Sequence, residues 1–400
     1  VTAASGSVVI GADTHLNTIH LAAISDTGKP LGDKEFRTTA AGYKAALKWA
    51  DAWGTVLAAG VEGTSSYGTG LTATLTAAGI EVCEVTRPER ASRRNQGKSD
   101  PLDAYSAARA ALARDRVAVP KDPRTTALKA LRTAYKSAVK ARVAATVQIT
   151  SMLVTAPIGL RERYRHLSAK ALIKALATAD PGVESDPVAA AVLASMILLA
   201  QRIGFLTAQE RDLSAHIDVM VTAMNPALRA AYGVGPITAA QLLITAGANP
   251  ERIGSSAAFA ALTGTAPVQA SSGKITRHRL SRGGDRDANN ALHRIALVRM
   301  AKDPRTRAYV AAQTANNRSK KEILRLLKRA IAREIFRLLT RICAFDDYAD
   351  LRPARQAKNI TITTVADHFN IGSITISRLE RGQHRNHELA TAYRQWLTAA

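Results

Sequence analysis

The chain has 400 residues, 46% of them hydrophobic and only 4% aromatic, enough for two or three packed, helix-rich domains. Its 55 Lys and Arg against 32 Asp and Glu leave a formal charge of +23, which points to a polyanionic partner. Two cysteines, Cys83 and Cys343, far apart and at no metal-ligand spacing, exclude a disulfide framework and a cysteine metal centre.

The charge is uneven. Residues 1–116 hold 13 Lys/Arg and 12 Asp/Glu, whereas residues 274–341 hold 19 and 5. A nearly neutral front with local acids and a basic back suit an enzyme acting on nucleic acid better than a generic basic protein. The start of the sequence has no basic leader with a long apolar run, and the uncharged apolar run 188–200 is too short to span a bilayer. A cytoplasmic protein with no membrane part is expected.

In chain order, residues 8–13 read as a buried strand ending on Asp13, and residues 19–24 as its hairpin partner across a polar turn holding His15. Residues 43–53 have helical periodicity. Residues 56–61 form a strand that also ends on an acid, Glu62. A helix at 70–78, a strand at 80–85 and a helix from about Asp100 to Arg114 complete an α/β domain. Asp100 and Asp103 share a face of that last helix, and Pro101 is tolerated in its first turn.

Singly, each of these acids is an ordinary strand-end or cap residue. Together, acids at neighbouring strand ends and at a helix start can converge on one point. Mg²⁺ takes a few carboxylates, several waters and substrate phosphate, so the set reads as a Mg²⁺ site for phosphodiester chemistry. His15 is a turn residue, or a contact behind the ligands or to substrate. Arg87, Arg90, Arg93, Arg94 and Lys98 form a basic loop abutting the acid pair, fit to grip phosphate.

From 124 to 149 the chain reads as a helix, and another runs from about 188 to 224. Ile203, Leu206, Leu213, Ile217, Met220 and Met224 form a coiled-coil-like seam with Glu210 as its polar intruder; it suits a dimerisation arm or an intramolecular hairpin equally. Residues 228–240 read as a helix-hairpin-helix, in which Gly233 and Gly235 allow a tight turn and close approach to a phosphate. A Ser/Gly-rich basic stretch follows, with Lys274, Arg277, Arg279 and Arg282 fit for nucleic acid; a serine there is a nucleophile only if cations or a metal activate it. Residues 363–382 fit a helix-turn-helix similar to that of phage-repressor-type regulators, with Thr375, Ser377 and Arg378 facing the groove.

The ordered set Asp13, Glu62 and Lys98-Ser99-Asp100-Pro101-Leu102-Asp103-Ala104 resembles the DEDD motif of one group of bacterial transposases. The run from Gly233-Val234-Gly235-Pro236 through Gly264-Thr265-Ala266-Pro267, Ser272-Gly273 and Ser281-Arg282-Gly283-Gly284 resembles that group's second domain. The group is the insertion-sequence one-hundred-and-ten family, the bridge-RNA-guided recombinases, and the likeness covers roughly residues 7–345.

The resemblance implies a ribonuclease-H-like (RuvC-like) DEDD domain at 7–118 with Asp13, Glu62, Asp100 and Asp103 as Mg²⁺ ligands. It implies a serine-bearing transposase domain at 226–345, with Ser272 as nucleophile and Ser271 one residue off the motif. Between them would lie a helical coiled-coil region at 124–225, and after them a helix-turn-helix-like tail at 358–400, which is not part of the family's pattern. It further implies donor and target DNA, a structured non-coding guide RNA and a homo-dimer or homo-tetramer as partners. The expected activity is transposition through a phosphoserine link to DNA. The alternatives are a Holliday-junction-type endonuclease without serine chemistry and a DNA-binding regulator.

Overall fold

The computed structural model describes residues 6–85, 99–115, 117–180, 182, 184–271, 278–279, 281, 283–343, 348–382 and 386–399. The chain divides into two compact units, residues 1–126 with 246–259, and residues 127–245 with 260–400.

The first unit is built on a six-stranded sheet. Its strands are β1 (Ser7–Thr14), β2 (Thr18–Ser25), β3 (Pro30–Arg37), β4 (Thr55–Glu62), β5 (Glu81–Val85) and β6 (Val117–Ala118), in the spatial order β3-β2-β1-β4-β5-β6. The hairpin β1–β2 is antiparallel, whereas β1, β4 and β5 run parallel. Strand β3 was not expected: it is an edge strand whose Asp33, Lys34 and Glu35 hide the apolar alternation.

Side chains alternate across the sheet with period two. Ile10, Ala12, Ala59 and Val61 pack on one face with helices α1 (Ala40–Asp51) and α2 (Thr69–Ala77). Val9, Ala58 and Cys83 pack on the other face with α3 (Asp100–Ala113). Helix α3 meets the sheet through Ala104, Ala107, Ala108 and Ala111, all buried. The opposing positions are glycines because the approach leaves no room: a Cβ on Gly11 would lie 2.1 Å from the Ala104 carbonyl oxygen, and one on Gly60 2.1 Å from that of Ala107.

A distant stretch closes the sheet edge. The Arg252 guanidinium pairs with both carboxylate oxygens of Glu84 (2.8 and 3.0 Å) and donates to the Val119 carbonyl, while Asn249 donates to the Pro120 carbonyl. Burial disfavours the Glu84 charge, but hydrogen bonds from Arg252 and Thr64 outweigh it and hold the carboxyl below its ordinary range.

The second unit is helical. Helices α4 (Arg124–Thr155), α5 (Ile158–Tyr164), α6 (Ala169–Ala177) and α7 (Pro187–Met224) share one core with Ile149, Leu160, Leu172, Leu193, Met196 and Ile203. Among the described residues α7 is the one helix long and apolar enough, by length and composition, to cross a membrane; the helix extends past the uncharged run and Arg202 to 38 residues. Its Leu193, Met196, Ile197, Ala200 and Ile203 are buried against the neighbouring helices, while Val188, Leu198 and Phe205 are exposed. Glu210, the intruder in the seam, is paired with Arg142 of α4 at 2.6 Å.

Helices α8 (Pro226–Ala230) and α9 (Pro236–Ala246) flank a turn in which Gly233 has φ of 77°. The Gly235 N–H donates to Thr238 Oγ1 at 3.0 Å. After α10 (Ser256–Leu262) and the strand pair β7 (Val268–Gln269) and β8 (His278–Arg279) come α11 (Arg286–Lys302), α12 (Pro304–Ala315) and α13 (Lys320–Thr340). Asp285 caps α11 and accepts from Thr245 Oγ1 at 2.6 Å and Gln241 Nε2 at 3.2 Å. The chain ends in four short helices, α14 (Leu351–Ala357), α15 (Ile362–His368), α16 (Ser373–Glu380) and α17 (His387–Ala399), around their own core of Leu351, Val365, Ile376, Leu379, Tyr393 and Leu397.

Candidate functional site

The acids of the first unit gather where the sheet geometry sends them. Asp13 is two residues beyond Gly11 and Glu62 two beyond Gly60, so period-two alternation puts both on the α3 side of two adjacent parallel strands. The Thr14 hydroxyl donates to the Glu62 carbonyl oxygen at 2.9 Å and ties the two strand ends together. The glycines let α3 close on the sheet, and its first turn carries Asp100 and Asp103. Acids in a first turn also suit the helix dipole, so their presence there costs the helix nothing.

The side chains of Asp13, His15 and Asp100 offer ligand atoms that all lie within 4.8 Å of one another. His15 Nε2 is 3.2 Å from Asp13 Oδ2 and 3.5 Å from Asp100 Oδ1. Asp13 is buried, at 7% exposure, and the others are half-buried. Burial pushes its carboxyl above the ordinary carboxylate range; His15 opposes that, and Asp103, Glu62 and Asp100 add to it by repulsion. Of the four sequence-selected acids, Asp13 and Asp100 are brought together with His15, while Asp103 and Glu62 lie close enough to repel the Asp13 carboxylate.

Asp13 Oδ2 and His15 Nε2 are both buried atoms, and neither has a hydrogen-bond partner among the described residues. A buried carboxylate oxygen and a buried imidazole nitrogen facing each other without a hydrogen bond, amid further carboxylates, fit a divalent cation. His15, weighed as a turn residue from sequence, belongs to this group. The only sequence signal for it was its position two residues after Asp13.

In the second unit, a cavity of about 560 Å³ is lined by Gly264, Thr265, Pro267, Arg279, Ser281, Arg318, Arg325, Lys328 and Arg329. The one carboxylate among its described lining residues, Glu322, is committed to the capping box with Ser319 at the start of α13. Lys328 is buried, and its ammonium donates to Asn289 Oδ1; Asn289 Nδ2 in turn donates to the carbonyls of Thr263 (2.8 Å) and Gly264 (3.0 Å). Burial lowers the Lys328 pKa. Sequence reading missed Lys328 and Asn289, because one lysine among many on a basic helix carries no signal. Such a pocket is fit for an anion.

Of the other sequence-selected residues, Arg279 is exposed on β8 and faces this cavity, and Ser271 is exposed. Ser272, Lys274, Arg277, Arg282, Arg87, Arg90, Arg93, Arg94 and Lys98 lie outside the described residues. On α16, Arg378 is exposed while Thr375 and Ser377 are half-buried; Ser373 and Ile374 are exposed there and were not selected.

Comparison with known proteins adds to this geometry. Residues 10–157 match a family model described as "Transposase", and residues 225–311 match one described as "Transposase IS116/IS110/IS902 family". The chain is 33% identical over 144 residues to the "Insertion element IS110 uncharacterized 43.6 kDa protein" of Streptomyces coelicolor. That match covers 35% of this chain and 35% of the relative, so the chain spans about a third of the length of the curated relative it matches.

Proposed function

We propose, for a chain that belongs to the IS116/IS110/IS902 family of transposases, that it is a Mg²⁺-dependent DNA transposase and recombinase. The observation that carries the reading is the convergence of Asp13 at the end of β1, His15 just after it and Asp100 at the start of α3. The strand order, with an antiparallel β3-β2-β1 meander followed by parallel β4 and β5, supports a ribonuclease-H-like (RuvC-like) reading of the first unit.

Asp13, Glu62, Asp100 and Asp103 would hold the ions, with His15 beside them. Bound there, divalent ions supply charge stabilisation to the phosphoryl oxygens of a strand transfer. The chain's own contribution is positional. The sheet fixes Asp13 and Glu62, and α3 fixes the other two acids. Arg87, Arg90, Arg93, Arg94 and Lys98 immediately precede the acid pair in sequence and would neutralise backbone phosphates. In the second unit, Ser272 is the proposed nucleophile. Its Oγ bonds to phosphorus as a bridging bond from phosphorus to a sugar oxygen breaks, and the serine proton ends on that sugar oxygen. Lys328 and Arg325 line a cavity suited to a phosphate of the same strand, and Gly233 and Gly235 would admit a backbone close to their turn. A guide RNA and a homo-oligomer complete the reading by family resemblance.

The test is trapping of a protein–DNA adduct in denaturing gels with donor and target DNA, copurified RNA and Mg²⁺. The wild type gives a covalent adduct, Ser272→Ala gives none while still retarding DNA, and Asp100→Ala gives at most a trace. Free cut ends with no adduct in the wild type would make this a hydrolytic nuclease and overturn the serine chemistry.

A further inference from the structure

The four helices at the C-terminal end take no part in the chemistry above, and their construction points to a separate task. Helices α15 and α16 are joined by residues 369–372, where Asn370 takes a left-handed conformation (φ 50°) and the Ile371 N–H donates to the Ala366 carbonyl at 2.9 Å. Val365, Ala366, Ile376 and Leu379 face the core. The rotation of α16 about its own axis is fixed by a buried ion pair. Glu380, 6% exposed, accepts from Arg355 Nε at 2.7 Å and from the Tyr393 hydroxyl at 2.9 Å, and Arg355 also donates to the Ile360 carbonyl. With Ile376, Leu379 and Glu380 held inside, the helix presents Ser373, Ile374 and Arg378 outward. Ile374 is 66% exposed, a large apolar side chain on the outermost face of a short helix.

The surroundings carry positive charge. A concavity of about 510 Å³ beside α16 is lined by Arg352, Gln356, Ile362, Ser377 and Arg381, and its one carboxylate, Glu380, is already neutralised by Arg355. Arg352 and Arg381 are exposed on its two sides. A short, rigidly oriented helix with a mixed apolar and cationic outer face, flanked by exposed arginines, complements the major groove of duplex DNA.

We propose that this element reads the sequence of B-form duplex DNA, with α16 in the major groove. Arg378 donates two hydrogen bonds to a guanine, Ile374 packs on a thymine methyl, and the Ser373 hydroxyl meets a neighbouring base edge. Arg352 and Arg381 bind flanking phosphates and carry no sequence information. This recognition is independent of the acid site and of any metal there. It shifts the reading contacts on α16 outward from Thr375 and Ser377 to Ser373 and Ile374, with Arg378 kept.

The experiment is selection from a randomised duplex library by the full-length chain at about 0.15 M salt with EDTA present, against a single-stranded library run in parallel. The wild type enriches a short duplex motif containing a guanine. Arg378→Lys, which keeps the charge but loses the bidentate geometry, weakens binding to that motif about tenfold to a hundredfold and relaxes one position. Arg352→Ala weakens all duplexes alike and reduces the salt dependence. No enriched duplex motif, enrichment only from the single-stranded library, or an unchanged motif in a folded Ser373→Ala/Arg378→Lys double variant would overturn the proposal.

Discussion

Asp13→Asn lowers DNA strand cleavage by about a thousandfold or more and, in the absence of metal, makes the protein more stable. The loss follows from removing the one buried ligand of the acid cluster, a deficit of ~4 kcal/mol or more in transition-state stabilisation. The gain follows from the state of that carboxyl. Burial, and then repulsion from Asp103, Glu62 and Asp100, push it above the ordinary range against the pull of His15, so its ionised form is disfavoured in the folded chain. An acid whose pKa is raised on folding lowers stability as pH rises from its unfolded value through its folded one. The advantage of Asn is therefore absent in strong acid, grows through that window and is full above it. At neutral pH it shows as a higher melting temperature for the variant than for the wild type. Melting curves with EDTA and with Mg²⁺ check both halves: added Mg²⁺ stabilises the wild type and not the variant.

Gly11→Ala damages the site from behind. The new Cβ would sit 2.1 Å from the Ala104 carbonyl oxygen and 2.2 Å from the Ala108 nitrogen, both backbone atoms of α3 that no rotamer change can move. Helix α3 must lift by about 1 Å, which breaks its packing on Val9, Ala58 and Cys83 and costs about 3 kcal/mol, or roughly 6–12 °C. The same movement carries Asp100 and Asp103 away from Asp13. A 1 Å misplacement of catalytic groups costs about a hundredfold in rate, so cleavage falls even below the melting point, and stabilisation by Mg²⁺ is lost. Gly6→Ala is the control, since its Cβ would meet nothing within 4 Å; it leaves melting, Mg²⁺ stabilisation and cleavage unchanged.

The strands and their acids were legible because apolar runs ending on a carboxylate are rare and local. The acid pair was legible because Pro101 and two first-turn acids mark a helix start. What joins them was not. Gly11 and Gly60 matter through a helix some ninety and fifty residues away, and a glycine in a strand announces only that something comes close. The Arg252–Glu84 pair spans 168 positions, so nothing near either residue foretells that stretch 246–259 belongs with the sheet. Strand β3 escaped because its exposed charged residues leave no alternation to read. A lone histidine after a strand usually is a turn residue, so sequence alone does not decide for His15; the burial of its Nε2 beside Asp13 Oδ2 is a tertiary fact. On α13, Lys328 is singled out by Asn289, which lies on a different helix, α11.

The central claim is that these acids form one cation site. Anomalous diffraction from crystals of the chain soaked in Mn²⁺ tests it most directly. A shared site gives a peak at coordination distance, about 2.2 Å, from both Asp13 Oδ2 and Asp100 Oδ1, and the peak is lost in Asp13→Asn. A peak confined to other carboxylates, or no peak with Asp13 and His15 in an ordinary hydrogen bond, would contradict it.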